Sequence, residues 1–86
     1  MSQLHQFRAQ IGPVRSEARR AADSLTEFKR KFAEAVSRVS TTIGDTANRE
    51  DRDMIETFQQ AEKGVDEAIA ALRKAAKAAS TYAGRP

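Results

Sequence analysis

The sequence contains no cysteine, no tryptophan and a single histidine among its 86 residues. The lack of cysteine excludes disulfide bridges, cysteine-ligated zinc and thiol catalysis, and one histidine cannot form a multi-histidine metal site. Four glycines and two prolines are too few for a loop-rich β-sandwich or barrel. No run of 18 apolar residues occurs, so we predict no membrane span. A chain this short without staples buries a modest core, so we expect it to need a partner.

Charge is plentiful, at 31% of the residues, but it is unevenly distributed around a net value of +3. Residues 1–20 carry +3 and residues 68–86 carry +4, whereas residues 45–67 carry −5. The basic residues near the end of the chain have no aromatic residues among them. Their pattern is more typical of cations that stabilise the C-terminal end of a helix than of a surface that binds nucleic acid.

Apolar residues of the first half recur at steps of three and four, the a/d pattern of a helical heptad. They are Leu4, Phe7, Ile11, Val14, Ala18, Ala21, Leu25, Phe28, Phe32, Ala35, Val39 and Ile43. Because proline suits the first position of a helix, we predict a helix over about 13–42 that begins at Pro13. We expect residues 3–11 to extend it by one or two turns, joined by a kink.

The second half repeats this pattern after a turn that we predict over residues 43–49. Gly44 suits the left-handed position that follows a helix, and Thr46 or Asn48 can cap the next one. We predict this second helix over about 50–82. Its apolar seam consists of Met54, Phe58, Ala61, Val65, Ala68, Leu72, Ala75, Ala79 and Tyr82.

Two long helices joined by a short turn predict an all-α fold, a single domain over 1–86 that forms an antiparallel two-helix hairpin. Further apolar residues flank the seams: Ala22 and Val36 in the first half, and Ile55, Ile69 and Ala76 in the second, where Glu62 interrupts them. Either these make ordinary contacts within one hairpin, or two hairpins pair into a four-helix bundle, which we favour because the stripe is wide. The predicted partner interface is Leu25, Phe28, Phe32, Val36, Phe58, Val65, Ile69 and Leu72.

We find no motif that predicts catalysis or a cofactor. His5 has no acidic residue near it in sequence, and neither a nucleophile elbow nor a glycine-rich phosphate loop is present. The acidic residues from Asp45 to Asp53 lack the spacing of a calcium loop and suit helix capping instead. We therefore predict a protein that is not an enzyme and that uses no metal or cofactor.

The layout resembles the WXG superfamily, the ESAT-6-like small proteins of type VII (ESX) secretion. The resemblance covers nearly the whole chain and rests on the two helices, the turn near mid-chain, and residues 69–82, where an alanine-rich helix leads to Tyr82. The Trp-x-Gly motif of the family is absent, and Ile43-Gly44 lies in its place. The family's export signal has an acid four residues after the tyrosine, where this chain has Pro86.

The resemblance implies a non-enzymatic secretion substrate or targeting partner that forms a homodimer or a heterodimer with another helical hairpin. Helical partners of LXG-type toxins are also similar, which implies the N-terminal helical domain of a toxin as a partner. Tyr82 would contribute to a secretion signal that the secretion ATPase reads, or would only pack in the seam. Since the N-terminus lacks the apolar core of a cleavable signal peptide, we expect synthesis in the cytoplasm and secretion without such a peptide. The alternatives are a generic coiled-coil scaffold protein and, third, a basic helix that binds nucleic acid or an anionic membrane.

Overall fold

In a computed structural model, the two halves of the chain with heptad-spaced apolar residues form two long helices. The structure describes residues 2–46 and 48–83. Side chains are described in these ranges except at positions 2–4, 46 and 83, which leaves out Leu4 of the predicted seam. Helix α1 spans Ser2–Ile43 and helix α2 spans Arg49–Ala83. The described residues contain no strand, and the helices pack side by side in opposite directions. The predicted all-α helical hairpin is confirmed.

Helix α1 begins eleven residues before the predicted start at Pro13 and includes the predicted extension over 3–11. Pro13 therefore lies inside the helix, where it lacks the N–H that would bond the carbonyl of Ala9. A proline inside a helix costs about 3 kcal/mol relative to alanine. Ile11 and Arg15, on either side of it, are half-buried against α2 and hold both parts of the helix in the packing.

The turn follows the local chemistry of its residues. Gly44 has φ of +56°, the left-handed conformation in which a side chain would be strained, and it opens a short 3₁₀ turn over Gly44–Thr46. Asn48 caps α2: its Oδ1 accepts a hydrogen bond from the Asp51 amide at 2.8 Å. Asp51 Oδ2 accepts one from the Asn48 amide at 3.1 Å, which completes a reciprocal capping box.

The hairpin is a thin rod with a very small core. Its extents are 67 × 17 × 14 Å and its radius of gyration is 19.4 Å, against about 12 Å for a compact chain of this length. It exposes 6764 Å² of surface, where a compact monomer of this mass exposes about 5,000 Å². The buried hydrophobic residues of the described chain are Ala18, Ala22, Val36 and Ala76. One hairpin thus leaves much of its apolar surface in water.

Each helix carries three parallel columns of residues at seven-residue spacing, and two of them face the other helix. The central column is half-buried to buried and comprises Ile11, Ala18, Leu25, Phe32, Val39, Phe58, Val65, Leu72 and Ala79. The inner column is equally covered and comprises Arg8, Arg15, Ala22, Lys29, Val36, Ile43, Ile55, Glu62, Ile69 and Ala76. The outer column is more exposed and comprises Phe7, Val14, Ala21, Phe28, Ala35, Met54, Ala61, Ala68, Ala75 and Tyr82.

The predicted seam is therefore wrong in one of its two columns. We expected the central and outer columns to join the helices, with Ala22, Val36 and Ala76 on the flank. The hairpin instead closes on the central and inner columns, and Ala22 is fully buried. Small residues there let the helices approach, and the long stems of Lys29 and Arg15 cover the seam while their charges reach water. The more apolar outer column is left outside.

Two alanines of α2 test this assignment with the same substitution. Ala76→Glu places a carboxylate in the seam, where the alanine is 4% exposed, and we expect it to lower the free energy of unfolding by at least about 2 kcal/mol. Ala70→Glu, on the exposed back of the same helix, should change it by less than about 0.5 kcal/mol. Thermal and urea unfolding followed by circular dichroism measures both. An equal loss of unfolding free energy in both variants would contradict the assignment of Ala76 to the seam.

Candidate partner-binding face

All the large hydrophobic side chains that the structure finds exposed belong to the outer column. Their exposed fractions are 53% for Phe7, 59% for Val14, 51% for Phe28, 38% for Met54 and 37% for Tyr82. Single exposed hydrophobic residues are ordinary on a monomer, but a contiguous apolar patch marks an interaction site. We call the surface formed by the outer column of both helices the outer face.

The outer columns of α1 and α2 lie on the same side of the hairpin. Near the chain termini the rings of Phe7 and Tyr82 meet with centroids 5.5 Å apart. Further along the rod, Val14 and Ala21 of α1 line a shallow groove of about 530 Å³ together with Ala75 of α2. The two columns therefore form one continuous surface and not two separate stripes.

Phe28 is the largest exposed side chain at the middle of this face, and it is supported from below. Its ring stacks on Phe32 at 5.8 Å with an angle of 15° between the planes. Phe32 in turn meets Phe58 of α2 edge-on at 6.1 Å. A ladder of rings thus leads from the seam to the surface. The ladder holds Phe28 in place. The Phe28 side chain would therefore lose less conformational entropy on being buried in an interface.

The opposite side of the seam is closed by ion pairs between the helices. Lys29 Nζ lies 2.5 Å from Asp66 Oδ1. The guanidinium of Arg73 lies 3.6 Å from Asp23 Oδ1 and donates a hydrogen bond of 3.4 Å to the hydroxyl of Thr26. We call this side the ion-paired rim. At 100° per residue, these positions and the outer column fall on opposite sides of the seam. Only one of the two sides is apolar.

The structure separates the predicted interface residues into two groups. Phe28 lies on the outer face, where a partner can reach it. The other residues belong to the central and inner columns between the two helices, and Val36 is only 6% exposed. They are Leu25, Phe32, Val36, Phe58, Val65, Ile69 and Leu72. Val14 and Met54 belonged to the predicted seam and not to the predicted interface, and the structure exposes both on the outer face.

Tyr82 lies on the outer face against Phe7, and not between the helices as the predicted seam implies. Its role in a secretion signal stays a prediction. His5 is exposed, and the described residues contain no cluster of three His, Asp or Glu side chains that could hold a metal. Neither described helix is long and apolar enough to cross a membrane.

A second groove, of about 280 Å³, lies between the helices near the chain termini and is basic. It is lined by Arg19, Arg73 and Lys77 together with Ser80, whose buried Oγ has no hydrogen-bond partner. These side chains can donate hydrogen bonds to an anion. Arg73 already forms an ion pair with Asp23, so part of the positive charge of this groove is neutralised within the chain.

Exposed charges on the back of α1 form a short ladder that supports the helix. Arg30 donates hydrogen bonds to Glu27 at 2.6 Å and to Glu34 at 2.9 Å. The Arg30 guanidinium, through its hydrogen bond and its charge, lowers the pKa of Glu27 below its ordinary value. This support is present above the ordinary carboxyl pKa and is lost as the pH falls through the lowered one.

The ion-paired rim should contribute little to stability. Both members of the Lys29–Asp66 pair are more than one third exposed, and exposed pairs contribute about 0–1 kcal/mol. We expect Asp66→Asn to lower the free energy of unfolding by less than about 1 kcal/mol, as measured by urea denaturation at 0.1 M salt. A loss of several kcal/mol would mean that the rim, and not the seam, holds the hairpin together.

No protein-family model, no curated protein and no solved structure matches this chain to a significant degree.

Proposed function

We propose that this chain is a non-enzymatic interaction protein that buries its outer face against another helical hairpin to form a four-helix bundle. The observation that carries the proposal is the collection of the exposed large hydrophobic residues on one side of the rod. Four-helix bundles bury such stripes around a common core, whereas a lone hairpin leaves them in water. The small core and the large exposed surface of the single chain support the same conclusion.

Within this class we propose a type VII secretion substrate or targeting partner. Support comes from the resemblance of the helix–turn–helix layout and of the alanine-rich stretch that leads to Tyr82. In the bundle, Tyr82 and Phe7 at the chain termini would border the composite end that the secretion ATPase reads. The export signal lacks its acid, so a partner such as a toxin's N-terminal helical domain would supply a complete one.

The proposal predicts that partner binding depends on the outer face. We expect Phe28→Glu and Ala68→Glu each to weaken binding at least tenfold, because each places a charge in an apolar contact. The measurement is co-purification, and then calorimetric titration, with any helical-hairpin protein that is encoded beside this chain. Ala70→Glu, two residues away on the back of α2, is the matched control and should bind normally.

Export is a separate readout. In a host with a type VII system, the wild-type chain and its partner should appear outside the cell only when the secretion ATPase is intact. Export that continues without the ATPase would refute the proposed role in type VII secretion. Binding that requires the outer face, with no export at all, would instead support the alternative of a coiled-coil scaffold protein.

A further inference from the structure

We infer that the basic groove between the two helices binds a phosphate monoester, through cations of both helices and the hydroxyl of Ser80. The groove has a volume of about 280 Å³. Arg19 of α1 lines it together with Arg73, Ala76, Lys77 and Ser80 of α2. Because Arg73 also belongs to the ion-paired rim, the groove lies on that side of the seam and not on the outer face. The inference therefore does not depend on the proposed function.

The rim loses its carboxylates as it approaches the chain termini. In the middle of the rod, Lys29 pairs with Asp66 across the seam. Two heptads beyond Asp66, the same column of α2 carries Ser80 in place of an acid. Among the described residues, neither Arg19 nor Lys77 has an ion-pair partner. The rim thus ends in two cations that the described part of the chain leaves without a counter-charge.

The surroundings of the groove supply little negative charge. Glu17 is the only acid in residues 1–22, and it lies 3.6 Å from Arg20. Residues 68–86 contain no acid, and together with residues 1–20 they carry a formal charge of +7. Like charges this close repel one another, so an anion between the helices relieves the repulsion.

Ser80 adds a neutral donor to these cations. Its Oγ is buried and has no hydrogen-bond partner, although buried polar groups are nearly always paired. A phosphate oxygen in the groove would accept a hydrogen bond from this hydroxyl and so remove the cost of leaving it unpaired. Ala76, 4% exposed, is the buried part of the lining, and its single methyl group leaves the space between the longer side chains open.

The donors suit a compact anion with two charges. Arg19 and Arg73 each present a planar fork of N–H donors, and Lys77 adds an ammonium group. A phosphate monoester has three terminal oxygens and a charge of about −2 at neutral pH, so it can accept hydrogen bonds from both helices at once. A carboxylate or a phosphodiester carries one charge and two free oxygens, which leaves part of this donor set unused.

Arg73 is available to such a ligand. Its guanidinium lies 3.6 Å from Asp23 Oδ1, which is longer than a hydrogen bond, and both side chains are more than half exposed. An exposed pair of this length contributes little, so Arg73 can turn toward a second anion at small cost. Asp23 and the bound phosphate would then compete for Arg73.

Two double variants of identical composition test the site. Arg19→Gln with Lys77→Gln removes two cations that line the groove, whereas Arg20→Gln with Lys74→Gln removes the same two residue types from positions outside it. All four side chains are exposed, so we expect both variants to keep the helicity of the wild-type chain.

The probes are inorganic phosphate and methyl phosphate, titrated at constant ionic strength and about pH 8, above the second pKa of a phosphate ester. Calorimetry gives the affinity, and amide chemical shifts of residues 73–80 locate the site. We expect the groove variant to bind at least tenfold more weakly than the wild-type chain and the control variant to bind within twofold of it. Equal weakening would mean a general attraction to the basic end and would overturn the inference.

The chemistry of the ligand is tested with single changes. Dimethyl phosphate, a monoanion, should bind at least fivefold more weakly than methyl phosphate, and equal binding would overturn the inference. Ser80→Ala should weaken methyl phosphate binding several-fold without lowering the thermal stability, because Oγ has no partner within the hairpin. Asp23→Asn should strengthen binding, because it frees Arg73. Binding that Ser80→Ala leaves unchanged would overturn the site as we define it.

Vesicles distinguish a soluble ester from a lipid headgroup as the source of the phosphate. The vesicles consist of phosphatidylcholine with or without phosphatidic acid, whose headgroup is a phosphate monoester. Binding of methyl phosphate in solution supports a soluble ester. Binding of the phosphatidic acid vesicles alone, lost in the groove variant and kept in the control variant, supports a lipid headgroup. A wild-type chain that binds neither probe overturns the inference.

The outcomes are separate from those of the proposed function. Phe28→Glu changes the outer face and should leave methyl phosphate binding unchanged. A chain that binds a helical partner and no phosphate monoester overturns this inference and leaves the proposed function standing. A chain that binds the monoester through Arg19 and Lys77, but no helical partner, does the reverse.

Discussion

Close packing of two helices along one seam is the constraint on which the rest of this structure depends. A pair of helices can bury only the residues between them, and here those are two columns with alanine at Ala18, Ala22 and Ala76. Small residues bring the helices together, but they bury little apolar surface. The hairpin is therefore well defined in shape and small in core. Any further gain in burial has to come from outside the chain.

The two sides of the seam are chemically different, and only one of them exposes a large apolar surface. The ion-paired rim satisfies its charges within the chain, with Lys29 on Asp66 and Arg73 on Asp23. A partner on that side would have to break or bury these pairs at a cost in desolvation. Among the described residues, no ion pair between the helices is found across the outer face, which presents Phe28 on a support of stacked rings. An approaching hairpin therefore gains most by packing on the outer face.

The sequence was sufficient to predict two helices and the turn at Gly44, and it narrowed the cap of α2 to Thr46 or Asn48, because each of these features depends on local chemistry. It did not predict which column closes the hairpin. Heptad spacing identifies the residues that need burial, but it does not say whether the chain or a partner buries them. Arg15, Lys29 and Glu62 are charged, yet they belong to the inner column of the seam. Their long stems pack there while their charged ends reach the surface, an outcome that a residue-level hydropathy pattern does not show.

The separation of the seam from the outer face has a consequence for how such a protein can evolve. Substitutions of Ala22 or Ala76 endanger the fold, whereas substitutions of Val14, Phe28 or Met54 alter the exposed outer face. Specificity is a difference between affinities, so a change in the outer column can favour one partner and reject another. With the outer face as the proposed binding surface, a lineage that carries this hairpin could exchange partners through a few surface substitutions while the seam keeps its fold intact.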